Sequence, residues 1–524
     1  MLKASGGMAI ATLTSRLLGM VREMVYAWFM GDGWVAWAFQ TAFTIPNLFR
    51  RLLGEGALTA AFIPIFKEKE KKEGEAEMWR VANAVISGLV VSASVVIALV
   101  MLIVTAALNV HEFPVQVDLM LHLLRVMFPY MLLVCVAAVL MGMLNARGHF
   151  FIPALGAVVL NIVMIASVWW VAPTLGLDFP AEGRLPKQIF ALAGGVLVAG
   201  VAQAAFQLPT LLSDGFRYRW VSPWRDETVR RVVRKMIPGA IGVAAFQINV
   251  AVIQGMGAWL DTPGHPVIVP FNYAVRLMEL PQGIFGISLA TFLLTTLSAL
   301  AVEKNYAEFR ATLRQGMAHL ILVNLLMAVL LVMLAEPIMR LLFERGKFGP
   351  DSTARATLAL QYLGASLVAY SLVNLVARAF YALGDTRTPM KISIVCLVLN
   401  LILSVCLVMP FRQAGLGLAN TISSAVNLAL LLYALRRKLG KLELASLRAT
   451  FPSLVLATVL ATVVAWWGGK FWETNLGHAT LALKLGAVFV PASIASLVYW
   501  LAAVVARVPA AQEITGLLAQ KFRR

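Results

Sequence analysis

The feature that most limits what this chain can become is its succession of apolar runs. A bilayer core about 30 Å thick is crossed by roughly 20 helical residues. Runs of that length recur at 8–30, 34–66, 80–108, 120–146, 152–173, 188–213, 229–260, 267–301, 309–335, 353–383, 389–410, 414–435, 449–469 and 480–506, about fourteen spans in all. Apolar residues make up 60% of the chain and charged ones only 13%, against roughly 45–50% apolar in a soluble domain. Lipid must therefore be the solvent for most of this surface. Lipid offers the backbone no hydrogen bonds, so the spans have to satisfy themselves as helices. The sequence reads as an all-α polytopic membrane protein.

The formal net charge of +18 would suggest nucleic acid in a soluble chain, but here the basic residues concentrate in alternate loops. One set holds Lys67, Lys69, Lys71, Lys72 and Arg80; Arg147; Arg217 to Lys235; Lys304, Arg310 and Arg314; Arg387 and Lys391; Arg436 to Arg448; and the tail. The alternate set holds chiefly Arg184, Lys187, Arg412 and Lys470. The positive-inside rule then places both termini in the cytoplasm. One loop disagrees: Glu336 to Arg345 sits on the outer side yet is basic, and it reads as an amphipathic helix at the interface. The Lys67–Lys72 run reads as a solvated loop, and Trp169-Trp170 and Trp466-Trp467 read as interfacial anchors. The first run is too long for a signal-peptide core. Three cysteines inside apolar runs and six scattered histidines give no disulfide framework and no metal or cofactor site.

Two internal echoes suggest duplication. Val159-Leu160-Asn161-Ile162 resembles Val398-Leu399-Asn400-Leu401, and Arg51-Leu52-Leu53 resembles Arg276-Leu277-Met278 at a similar offset. The expected organisation is two pseudo-symmetric six-helix lobes, 1–220 and 221–440, followed by two extra helices in 441–524. Repeats of this kind place a transporter's substrate site between them. Pro46 with Gly54 and Gly56 in the second run, and Pro281 with Gly283 in the eighth, are candidate hinges that break their helices.

Ionisable groups inside the membrane are costly unless paired or wet. Arg16, Arg22, Arg50, Arg51 and Arg276 face only Glu23, Glu55 and Glu279 as acids in the same three runs. The excess cation suits an anionic ligand, because a guanidinium keeps its charge and offers a planar fork to phosphate oxygens. The bland reading is that these groups pair to hold helices together. Removing an unmatched cation should spare the fold. Arg16, Gly19 and Glu23 share one helix face, which should meet water. Arg125, Arg378, Lys484 and Arg507 read as snorkelling or locally satisfied.

Four stretches resemble the motifs of the MurJ (MviN) lipid II flippases. They are Thr14 to Glu23; Ile45-Pro46-Asn47-Leu48-Phe49-Arg50-Arg51-Leu52-Leu53-Gly54-Glu55-Gly56; Tyr273-Ala274-Val275-Arg276-Leu277-Met278-Glu279-Leu280-Pro281-Gln282-Gly283; and Phe380 to Pro389. That family lies in the multidrug/oligosaccharidyl-lipid/polysaccharide exporter superfamily. The resemblance implies two lobes around a cationic cavity, a lipid-tail groove on the last two helices, and movement of lipid II across the inner membrane by alternating access. It places Arg16, Arg22, Arg50 and Arg276, with Ser15 and Asn47, at the substrate's diphosphate and sugar. Glu23, Arg51, Glu55 and Glu279 become gating or structural ion pairs. Its implied partners are lipid II, membrane lipids and the cell-wall synthesis machinery, with a monomeric chain. Trp37 and Val275 stand where the family often has Asp, which departs from its gating pairs. Some relatives bind sodium through acids where this chain offers Gln247, Asn249, Asn400, Ser404, Asn420 and Thr421, so no sodium site is expected.

Other functions fit less well. A cation-drug exporter wants cavity carboxylates; a flippase for another undecaprenyl-diphosphate-linked oligosaccharide differs only in its motifs. An enzyme needs clustered outer carboxylates, and Glu112, Asp118, Asp178, Glu182 and Asp261 are dispersed in sequence. The loop charges generate the first test. A reporter fused at the C-terminus should behave as cytoplasmic, and a periplasmic signal there would mean an odd number of spans.

Overall fold

The computed structural model of the protein describes residues 2–49, 58–174, 183–224, 226–261, 264–440, 442–443 and 445–522. These are helical almost throughout, and no strand occurs among them. The helices are α1 (Leu2–Met30), α2 (Trp34–Phe49), α3 (Leu58–Glu73), α4 (Glu75–Val110), α5 (Val115–Met127), α6 (Tyr130–Ala146), α7 (Phe151–Ala166), α8 (Leu185–Ser213), α9 (Glu227–Leu260) and α10 (Ile268–Pro281). They continue as α11 (Ser288–Val302), α12 (Tyr306–Met333), α13 (Ala335–Phe343), α14 (Pro350–Gly364), α15 (Leu367–Ala382), α16 (Arg387–Leu439), α17 (Ala445–Asn475), α18 (Leu481–Val505) and α19 (Pro509–Phe522). Among the described residues, 8 helices are long and apolar enough to cross a membrane, or up to 10 if the bent pairs α5–α6 and α14–α15 each form one span.

Several expected boundaries move, each for a physical reason. The eighth run does not break at Pro281 and Gly283. Pro281 cannot donate to the carbonyl four residues back, and a π-helical turn at Gln282–Ile287 follows it directly, carrying the helix on into α11. The Lys67–Lys72 run is the end of α3 rather than a loop. Its charges alternate at helical spacing, pairing Lys67 with Glu70, Lys69 with Glu73 and Lys72 with Glu68. The eleventh and twelfth runs form the single stretch α16, interrupted at Arg412, whose φ of 50° and ψ of −129° are not helical. The chain reverses there. Asn400 Nδ2 reaches Ser423 Oγ at 3.0 Å, which a straight helix would hold about 35 Å away. The two ends of the hairpin also meet: Lys438 Nζ pairs with Asp385 Oδ2 at 2.7 Å, while the Thr388 N–H and hydroxyl donate to the same carboxylate. The Gly384-Asp385-Thr386-Arg387 motif is thus a clasp at the mouth of the hairpin.

The chain forms two compact units, Met1–Val269 and Pro270–Arg524. The repeat suggested a boundary near residue 220, but packing puts α9 in the first unit, against α2, α3 and α4. The reason is a lock between α2 and α9. Trp37 is fully buried, and its Nε1 donates to the carbonyl of Gln254 at 2.9 Å. One turn on, Gly257 lies flat against the indole, where any Cβ would collide with the ring.

In the second unit, α17 and α18 pack through small residues at every fourth position: Ala457, Ala461 and Ala465 on one, Ala495 and Ala503 on the other. Lipid tails are as apolar as leucine, so close backbone approach drives such pairs. Tyr499 Oη donates to the carbonyl of Leu322 at 2.8 Å and ties α18 to α12. Both tryptophan pairs are exposed, Trp169-Trp170 at the end of their span and Trp466-Trp467 inside α17, with Lys470 Nζ lying 5.2 Å from the ring of Trp466.

The Trp37 lock has a direct consequence. Gly257→Ala should lower stability by about 1–3 kcal/mol, as overpacking does, read as a drop in thermal midpoint. Adding Trp37→Phe should recover part of that loss. A Gly257→Ala protein as stable as the parent would mean that the helices do not touch there.

Candidate functional site

Helix α1 carries the densest intramembrane charge among the described residues, and α7 organises it. Arg22 is largely buried. Its Nη1 donates to Asn161 Oδ1 at 3.0 Å, its Nη2 to Glu23 Oε1 at 2.7 Å, and its guanidinium lies over the Tyr26 ring at 5.5 Å. Asn161 Nδ2 donates in turn to the carbonyl of Ser15 at 3.2 Å, using that oxygen's second lone pair. One asparagine therefore grips α1 at two levels, one beside Ser15 and one at Arg22. Its sequence counterpart Asn400 is also buried and hydrogen-bonded.

The expected polar stripe is open only at one end. Arg16 is exposed and makes no hydrogen bond or ion pair among the described residues, whereas Glu23 is 8% exposed. Glu23 faces protein because Arg22 claims it. Arg22 and Arg16 are therefore unlike: the first is committed to the protein and the second is available. In the second unit, Arg276 on α10 is exposed and pairs with Glu279 at 2.9 Å, one turn along the same helix. An exposed pair of this kind contributes little to stability and yields readily to a competing anion. Buried Pro46 and Asn47 lie inside the last turn of α2, which is described as far as Phe49. Arg50, Arg51, Gly54, Glu55 and Gly56 lie outside the described residues.

Other charges prove structural. Arg340 was expected on an interfacial helix, and α13 is that helix, but Arg340 is only 9% exposed. It pairs with Glu336 and with Glu473 of α17 at 2.9 Å, and Lys484 of α18 meets Glu344 at 3.4 Å. The basic loop that disagreed with the topology is thus an ion-paired seam between α13 and the C-terminal helices. Arg378 donates to the Thr291 hydroxyl. Arg147 gathers Glu70 at 2.6 Å and Glu75 at 2.8 Å, and Asp214 of the same cluster takes His149 at 3.0 Å. Asn400 is spent on Ser423, Ser424 on Asn420, and Thr421 on the Tyr362 carbonyl.

Asp261, one of the dispersed outer-loop acids, is fully buried at the end of α9. Its Oδ1 accepts the N–H groups of Val267 and Ile268, capping α10, while its Oδ2 has no hydrogen-bond partner. Burial pushes its carboxyl up to about 6, and the charge of Asp32 adds to the rise. Sequence spacing gave no sign of this, because the capped N–H groups lie across a turn.

The sequence model of a family described as "Lipid II flippase MurJ" matches residues 26–486. The chain belongs to the MurJ lipid II flippase family. A relative from Haemophilus influenzae, named probable lipid II flippase MurJ, is 33% identical over 479 residues, covering 87% of this chain and 90% of its own length. A solved structure of lipid II flippase MurJ in an inward closed conformation superposes with a TM-score of 0.75 at 19% identity, over 95% of this chain and 98% of that one. An inward-facing multidrug resistance transporter of the MATE family, of the MOP superfamily, gives 0.66 at 14% identity, over 83% of this chain and 99% of that one. The MurJ fold is the one the sequence motifs implied, and at these identities the solved structures speak for fold alone.

Asp261 supplies a pH test. Its folded value of about 6 lies above the ordinary 3.8, so the folded protein holds a proton that the unfolded chain releases. Its contribution is fully present below the ordinary value and is lost as pH rises through about 6. Thermal midpoints should fall across that window, and Asp261→Asn, which keeps the Oδ1 acceptor and stays neutral, should flatten the fall. An identical pH profile in the variant would place the titration elsewhere.

Proposed function

We propose that this protein flips lipid II from the inner to the outer leaflet of the bacterial cytoplasmic membrane by alternating access. The relatives matching nearly the whole chain are lipid II flippases by name. The physical observation that carries the reading is Arg16, an exposed arginine in the middle of α1 with no protein partner among the described residues. Inside a membrane such a group needs water and a counter-anion, and a lipid-linked diphosphate supplies one.

In this reading Arg16 and Arg276, with Arg50, hold the diphosphate, and Ser15 and Asn47 line the sugar. Arg22, fixed by Glu23 and Asn161, sets the field and exchanges partners as the substrate arrives. Taking the kinked α16 as two spans, and adding α1, α9 and the α2–α3 pair to the 10 spans already counted, gives fourteen, an even number that keeps both termini cytoplasmic. The two lobes rock about the site, α9 moving with the first, and 441–524 guide the lipid tail. The two glutamates that pair with arginines, Glu23 and Glu279, are the candidates for exchange during the cycle.

The chain should rescue a strain depleted of its own lipid II flippase, and lysis despite good expression would overturn the reading. Arg16→Ala and Arg276→Ala should each weaken lipid II binding about tenfold or more, and Arg16→Ala should do so with little change in thermal midpoint, because it orphans no partner among the described residues. Arg22→Ala should differ. It strands buried Glu23, so it should also cost roughly 2–4 kcal/mol of stability. Arg→Lys keeps the charge but loses the fork, and should fall between.

A further inference from the structure

The fifth helix holds an arginine that the site above does not use. From sequence, Arg125 lies near a span end and Asp118 in an outer loop. The structure starts α5 at Val115, which puts Asp118 in its first turn and Arg125 ten residues along, about 15 Å up the axis. Taken as one span, helices α5 and α6 are bent by 45° at the break after Met127. Arg125 lies in the last turn of α5, just before that bend, and so inside the length of that span.

The face it occupies is not a lipid face. Asp118, His122 and Arg125 follow one another at spacings of four and three, so they form one stripe. The buried residues Leu119, Leu123 and Met127 lie on the opposite side. Lipid-facing helices expose large apolar side chains, as α4 does with Val95, Leu99, Leu102 and Ile103, whereas α5 exposes none beyond Val115 at its start. Arg125 makes no hydrogen bond or ion pair among the described residues. The acid of its own stripe stands two turns away, with Asp118 Oδ2 3.6 Å from His122 Nδ1, whose hydrogen bond is made with the Asp118 backbone carbonyl at 2.9 Å. A partly exposed guanidinium within a span, with no partner among the described residues, is stable where water and an anion meet it.

We infer that the Asp118–His122–Arg125 stripe is a water-facing track on the first unit, and that Arg125 is a further binding residue for the substrate's diphosphate. The inference rests on the flippase reading and deepens it. Arg16 on α1 and Arg125 on α5 then offer two separate forks, so the diphosphate has a second partner to move to when it leaves the first. Arg125 suits that role because no acid among the described residues pairs with it.

The test uses the full-length protein in lipid nanodiscs, with exposed Cys406 replaced by Ser. Arg125→Cys should react with a membrane-impermeant thiol reagent, and Leu102→Cys should not. Undecaprenyl diphosphate should protect Arg125→Cys, and phosphatidylglycerol should not. Arg125→Ala should weaken binding of undecaprenyl diphosphate about tenfold at an unchanged thermal midpoint, with Arg125→Lys intermediate. No labelling would put the stripe in lipid and overturn the inference; so would labelling without protection, or equal protection by phosphatidylglycerol. If the parent protein binds undecaprenyl diphosphate and Arg125→Ala binds it equally well, this inference alone fails. If the parent binds neither that lipid nor lipid II, the flippase reading falls with it.

Discussion

An arginine inside hydrocarbon costs several kcal/mol unless protein or water takes up its charge, and the helices of this protein are arranged around that cost. Where a cation meets protein acids it becomes a fastening. Arg340 joins α13 to α17 through Glu473, and Arg147 draws together α3, α4 and the turn after α6. At Arg16 and Arg125 no acid among the described residues pairs with the cation, and each adds positive charge to its helix. Arg22 lies between these cases, half satisfied by Glu23 and half by a neutral amide. The same residue type thus does two jobs, and the neighbouring carboxylates decide which.

The apolar packing follows a related rule. Burial from water does not drive one lipid-bathed helix onto another, so close approach and specific polar contacts do. The alanine seam of α17 and α18 is one solution, and the fit of Trp37 against Gly257 is another. Trp37 is a packed, hydrogen-bonded indole that joins α9 to the first unit. The connection from α9 into α10, which carries Arg276, is closed by Asp261, so the state of one buried carboxyl bears on the start of that helix.

Much of this was legible before any coordinates. Helical class, the positions of most spans, the family motifs and the suspicion attached to the charges of α1 all follow from local features: run length, residue type and spacing. Asn161 and Asn400 were visible as paired polar residues in apolar runs, though only as a sign of duplication. The Lys67–Lys72 run was misread because alternating charge in a loop and alternating charge on an exposed helix look alike until the helix is known to continue.

Sequence by itself determined that the chain must live in lipid as helices, that it carries more intramembrane arginines than acids, and which family it resembles. Those properties depend on composition and on neighbours a few residues apart, which the chain states directly. Only the tertiary structure decided which arginines are spent and which are available. Arg22 meets Asn161 from 139 positions away and Arg340 meets Glu473 from 133, while Arg125 meets none among the described residues. Tertiary structure also decided that Asp261 is buried against the turn it caps and that α9 packs with the first unit. Pairing across such separations is set by how helices stack, and no local spacing encodes it.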